Sequence, residues 1–139
     1  MGYRTECYDR LLDATVSQIQ LNDARDTLSL VTDKGTFSFY TDGDCCSRSW
    51  IAGMEGVAAL LGSPIQEVAD LDLGKPRENV GSYDIVQFYG WKIRTLRGIF
   101  VLEFRNESNG YYGGSLESTS TPVDLTKPGA IVVTDDWSS

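Results

Sequence analysis

Apolar and polar residues alternate over short runs along most of this chain, the period expected of half-buried β-strands. Val16, Ile19 and Leu21 mark a first strand, or a helix passing into one, that ends at Asn22-Asp23. Thr27-Leu28-Ser29-Leu30-Val31-Thr32 alternates, Asp33-Lys34-Gly35 is a turn, and Thr36-Phe37-Ser38-Phe39-Tyr40 alternates again, which predicts a β-hairpin. Beyond the segment Gly43 to Ser47, Ser47 or Ser49 is placed to cap a helix running to about Leu61. Trp50, Ile51, Met54, Val57, Ala58 and Leu61 approximate its buried face, and Gly53 and Gly56 break it in two. Tyr83 to Thr95 is strand-like with Gly90 as the one interruption, and Ile99 to Phe104 returns beside it. This second hairpin is long, on the order of 40 Å at about 3.3 Å per residue. Asp70 and Asp72 are assigned to a linker, Ala130 to Val133 to a short strand or strap, and Asp135 to Ser139 to a loose acidic end that Trp137 can anchor.

The second half repeats the first. Leu12-x-x-x-Val16-x-x-Ile19 is matched by Leu61-x-x-x-Ile65-x-x-Val68, and Thr32-x-x-Gly35-x-Phe37-x-Phe39 by Thr95-x-x-Gly98-x-Phe100-x-Leu102, with Leu30 answering to Ile93. Four blocks in the same order favour duplication over chance. The predicted fold class is therefore α+β, mainly antiparallel β. It has two pseudo-repeated hairpin units (about 12–47 and 61–110), one broken helix between them, a long second hairpin and a C-terminal strap (115–139), within a single domain of 1–139. An overhanging ribbon with open edges is a liability that a second subunit relieves, so a homo-oligomer is expected, a dimer or multiples of it.

Composition then narrows the chemistry. The 139 residues are 41% hydrophobic and 23% charged, ordinary for a globular domain able to bury its own core. A net charge of −8, with no Lys/Arg cluster, argues against polymeric nucleic acid as a partner. No apolar run has the length of a membrane span, and the Met1-Gly2 start lacks the Ser or Thr that myristoylation requires at Glu6. Three cysteines, an odd number without a secretory signal, suit a reduced compartment. There is no histidine, which removes Ser-His-Asp and Cys-His catalysis and most transition-metal sites. No catalytic residue, cofactor or metal is expected.

The richest chemistry lies where each second hairpin strand ends. After Phe104 the chain reads Arg105-Asn106-Glu107-Ser108-Asn109-Gly110-Tyr111-Tyr112-Gly113-Gly114, far more than a turn needs. Glycine admits close backbone approach, a tyrosine face stacks on a flat ring, and a guanidinium grips phosphate or carboxylate. Arg105, Asn106, Ser108, Asn109, Gly110 and one of Tyr111 and Tyr112 are the candidate ligand-binding residues. Arg94 joins them from the second hairpin, as a residue able to reach a neighbour's ligand, and Phe88 as a candidate stacking ring. The plainer alternative is Arg105 paired with Glu103 or Glu107, and Phe88, Tyr89 and Trp91 as core or interface residues. By the repeat, Gly43-Asp44-Cys45-Cys46-Ser47 occupies the equivalent place in the first half. Its cysteines read as small packing residues, with Asp44 and Ser47 holding a structural turn through local backbone hydrogen bonds.

Gly43-Asp44-Cys45-Cys46-Ser47 with Trp50, Leu60-Leu61-Gly62, and Arg105-Asn106-x-Ser108-Asn109-Gly110-Tyr111-Tyr112-Gly113-Gly114 together resemble a family of small phage and prophage proteins over roughly residues 10 to 117. That family is similar to the anti-Thoeris phage sponges. The resemblance implies a β-rich oligomer in the host cytoplasm, with sites between subunits. Such a protein captures a cyclic ADP-ribose signal made by TIR-domain proteins without degrading it, and accommodates cyclic oligonucleotides. The alternative is a non-catalytic structural or interaction domain whose Gly/Tyr loop docks a host or virion partner.

Overall fold

A computed structural model describes residues 9–43, 48–72, 77–78, 85–108 and 114–138. The chain forms β1 (Val16–Leu21), β2 (Thr27–Thr32), β3 (Gly35–Gly43) and β4 (Arg48–Glu55), then one helical turn, α1 (Val57–Leu60). There follow β5 (Ile65–Asp72), β6 (Arg77–Glu78), β7 (Ile85–Thr95), β8 (Gly98–Ser108), β9 (Gly114–Thr119), β10 (Ile131–Val133) and β11 (Trp137–Ser138). All ladders between these strands are antiparallel. The first sheet has the order β10-β1-β2-β3-β9 and the second β11-β4-β8-β7-β5, with β6 also on β7. The α+β, mainly antiparallel class holds, with two hairpins and little helix.

Alternation explains how the sheets meet. Leu28, Leu30 and Phe39 from the first sheet and Ile51, Met54, Trp91, Ile93, Phe100, Leu102 and Phe104 from the second share one buried cluster. The Phe39 and Trp91 rings touch across it, centroids 4.9 Å apart and tilted by 59°. Ser29 is the exception in β2: it points away from this core yet is fully buried. The segment after β9 crosses the outside of the first sheet, and the Val123 N–H donates to Ser29 Oγ (2.8 Å), which pairs with Ser38 Oγ (2.7 Å). A buried hydroxyl satisfied in this way carries little penalty.

The two halves make equivalent contacts at equivalent positions. The Asp13 N–H donates to the Ile65 carbonyl (2.8 Å), and its counterpart Gly62 donates to the Val16 carbonyl (2.9 Å). Both donors have left-handed backbone, φ 67° at Asp13 and 83° at Gly62. Thr15 bridges Pro64, its own counterpart. In the hairpin turns, Lys34 Nζ donates to the Leu12 carbonyl and Arg97 Nη1 to the Leu61 carbonyl, each at 3.2 Å. A pseudo-twofold axis therefore passes by Thr15 and Pro64. The fourth strands are exchanged between the halves: β4 follows the first hairpin but pairs with β8, while β9 follows the second but pairs with β3.

Four expectations change. Arg48–Glu55 is a strand, so the helix expected from Ser47 or Ser49 shrinks to the single turn Val57–Leu60. The exchange is the reason: an open edge of β8 offers backbone partners for the whole segment, and a bulge between Ile51 and Gly53 absorbs its irregular apolar spacing. Asp70 and Asp72 lie in β5 rather than a linker. The second hairpin is long, eleven residues in each strand. It does not overhang, because β5 and β6 flank β7 and β4 flanks β8. Residues 115–119, counted with the strap, belong to β9 (Gly114–Thr119) inside the first sheet.

Candidate functional site

The exchange of β4 and β9 brings the two motif-bearing loops to one end of the molecule. Gly43, where β3 ends, is the ladder partner of Gly114, where β9 begins, and Arg48, where β4 begins, pairs with Glu107 near the end of β8. The described strand ends that flank segments 44–47 and 109–113 thus hold neighbouring backbone positions. These strand ends lie at the end opposite Thr15 and Pro64, since β1 starts beside the end of β2 and the β2–β3 turn. Asp44, Cys45, Cys46 and Ser47, and likewise Asn109, Gly110, Tyr111 and Tyr112, fall outside the described residues.

Arg105 stands at this end. On β8, Leu102 and Phe104 point into the core, so Glu103 and Arg105 take the outer face. The ladder sets Arg105 between Trp50 on β4 and Phe88 on β7. Asn106 and Ser108 continue β8 beyond it, Asn106 opposite Ser49 and Gln87 and Ser108 opposite Ile85; only their backbone is described, as for Phe88. One carboxylate oxygen of Glu103 accepts from both Nε (2.7 Å) and Nη2 (2.6 Å) of Arg105. The plain pairing with Glu103 is present, and it holds the guanidinium in a defined plane. Both side chains are about one-third exposed, 29% and 31%, so the pair itself adds little stability.

Beside this pair is a cleft of about 270 Å³, lined by Ala52 to Glu55, Val101, Glu103, Arg105, Trp137 and Ser138. Asp136, just before Trp137, accepts the Val57 N–H (2.9 Å). That bond, with a second from the Gly56 N–H, holds its carboxyl below the usual range. Arg25 from the β1–β2 turn lies 5.5 Å from the Trp137 ring centroid, a cation–π contact. Trp50, part of the motif set, is thus placed beside Arg105 by β4, while β11 brings the Trp137 backbone and Ser138 to the cleft and turns the indole to the core beside Met54. The repeat held the signal for Trp50: had the match been extended past the loops, Arg48–Glu55 would have aligned with the strand-like Gly114–Thr119.

Arg94 does not join this cluster. It lies at the turn end of the hairpin, opposite Ile99, six ladder positions from the Phe88–Arg105 pair and so about 20 Å away. Its guanidinium meets Glu67 (3.5 Å), which Lys92 also reaches (3.3 Å). The Lys92 hydrogen bond and charge, and then the charge of Arg94, lower the Glu67 carboxyl's pKa. A second cavity, about 520 Å³, lies between the first sheet and the segment after β9. Its Asn22 and Asp26 are engaged in holding their own turn, where Asn22 Oδ1 accepts the Asp26 and Thr27 N–H groups.

Fold and cleft together define a small antiparallel two-sheet protein with exchanged strands and a charged cleft on one outer face. Residues 9–118 match the family model described as Domain of unknown function (DUF7448), and the chain belongs to that family. It is also similar to a viral protein, the "Uncharacterized protein L278" of Acanthamoeba polyphaga mimivirus. The two are 33% identical over 110 residues, which cover 73% of this chain and 84% of the relative. No solved structure matches. Among the described residues no helix is long and apolar enough to cross a membrane.

Proposed function

We propose that this chain is a non-catalytic viral capture protein, phage- or prophage-encoded. In this reading it binds a cyclic nucleotide signal in the host cytoplasm, a cyclic ADP-ribose isomer or a cyclic oligonucleotide, and sequesters it uncleaved. The observation that carries the proposal is the register: the ends of both loops meet at one end of the molecule, beside Arg105 and Trp50. A guanidinium held in plane by Glu103 suits a phosphate, an indole suits a base, and the Asn, Ser and Tyr residues of the 105–112 run suit ribose hydroxyls. Capture needs no general base, in keeping with a chain that has no histidine. Assembly of copies belongs to the reading as well. Both sides of the long hairpin are occupied, so strand pairing between copies would use the outer edges of β5, β9, β10 or β11.

The test is to incubate the protein with cyclic ADP-ribose isomers, heat it, and analyse what is released. Intact ligand supports capture, a cleaved product makes the protein an enzyme, and no heat of binding by calorimetry favours docking of a protein partner. Arg105→Ala is expected to abolish capture while changing stability by less than about 1 kcal/mol. A collapsed fold would instead make Arg105 a structural residue.

A further inference from the structure

We infer that β11, at the end of the strap, is a wall of the Arg105 cleft and makes it selective for ligands whose negative charge is concentrated at one point. The inference rests on the capture reading above. The 270 Å³ cleft shares Glu55, Val101, Trp137 and Ser138 with a neighbouring space of about 540 Å³ that extends to Ile99. Four shared residues make the two spaces one groove along the outer face of β8. Arg105 stands at one end, Val101 and the half-exposed Ile99 (49%) form an apolar floor, and Trp137 and Ser138 line both lobes.

This wall is held from three sides. Gly53 lacks the side chain that would press on β11: a Cβ there would lie 3.0 Å from the Trp137 carbonyl oxygen. Asp136 ties the preceding residue to the start of α1, and Arg25 packs over the indole. All of β11 lies beyond residues 9–118, so part of the groove is built by a segment outside the stretch that the family model matches.

Charge then fixes how a ligand can lie. Among the described residues Arg105 is the one cationic residue lining the groove, whereas Glu55 and Asp136 line the far lobe and Glu103 sits beside the arginine. A phosphate at the far lobe would meet carboxylates, while an exocyclic amine or a ribose hydroxyl there can donate to Glu55. The favoured ligand places its phosphates together at Arg105, as the pyrophosphate of a cyclic ADP-ribose does. A cyclic dinucleotide, with phosphates on opposite sides of its ring, is disfavoured.

The experiment is calorimetric titration of the full chain with a cyclic ADP-ribose isomer and with cyclic di-AMP, for the wild type and Ser138→Glu. Wild type is expected to favour the ADP-ribose by roughly tenfold or more. Ser138→Glu, at an exposed position on the outer face of β11, should weaken its binding roughly tenfold by setting a carboxylate in the wall. Wild-type capture that Ser138→Glu leaves unchanged overturns the wall, and preference for the dinucleotide overturns the selectivity. A wild type that binds neither ligand defeats the capture reading itself, and the inference with it.

Discussion

The two ends of the pseudo-twofold axis differ in what they hold constant. At the Thr15–Pro64 end the halves agree atom for atom: left-handed Asp13 and Gly62 donate reciprocally, and Lys34 and Arg97 reach equivalent carbonyls. At the crossover end the frame is shared but the residues are not. The ladder pair Trp50–Arg105 on the second sheet corresponds in backbone register to Ser115–Asp42 on the first, with different residue types at both positions. Backbone hydrogen bonds constrain the first end, because a lost partner in a buried turn carries the full desolvation cost. Outer-face side chains at the second end bear no such constraint, so their chemistry can diverge without unfolding the chain. The like end carries the fold and the unlike end the candidate site.

That contrast can be broken by substitution. The largest effect is expected at Gly56, next to the like end, where φ is 76° and a Cβ would overlap the Ile99 carbonyl. Gly56→Ala should cost about 3 kcal/mol or more, read as a lower urea midpoint; a change below about 1 kcal/mol would show that the contact relaxes freely. Gly62→Ala comes next, at about 1–2 kcal/mol for a left-handed alanine, while Asp13→Gly at the twin position should stabilise by about 0.5 kcal/mol. Opposite signs at twin positions would sharpen the equivalence, and equal signs would break it. The smallest effect concerns the strap, where the symmetry ends. The Asp136 pKa is lowered in the fold, so its contribution is present above the unfolded value of about 3.8 and is lost as pH falls through the folded pKa. Asp136→Asn should therefore lower stability near pH 7 by about 0.5 kcal/mol, with wild type and variant converging on acidification in parallel melting curves. A gap that persists at low pH would assign the effect to geometry rather than charge.

Much of this frame is legible in the chain because local alternation and turn chemistry decide it. The Thr27–Tyr40 and Ile85–Phe104 hairpins follow from period-two apolar residues around Asp33-Lys34-Gly35 and Leu96-Arg97-Gly98, where closure is local and the registers Thr32↔Gly35 and Thr95↔Gly98 leave no other pairing in phase. Arg48–Glu55 was misread as helix because its spacing is compatible with either element, and what decides it is the edge of a strand fifty residues later. Glu103, by contrast, is legible as a partner of Arg105, since i and i+2 of a strand share a face and the pair is local. Trp137 is legible only as an anchor of the acidic end: nothing near it in sequence announces β4, Arg25 or the groove.

By itself the sequence determined the antiparallel class, the repeated hairpins, the crowding of Arg, Asn, Gly and Tyr after Phe104, and the lack of any histidine base. Those properties are written in residue types and short spacings. Only the tertiary structure decided the exchange of β4 and β9, the meeting of the two loop ends, and the placing of β11 along the cleft that holds Arg105. Each depends on which edge a strand finds, and that choice is made by burial of one core common to both sheets rather than by any local preference.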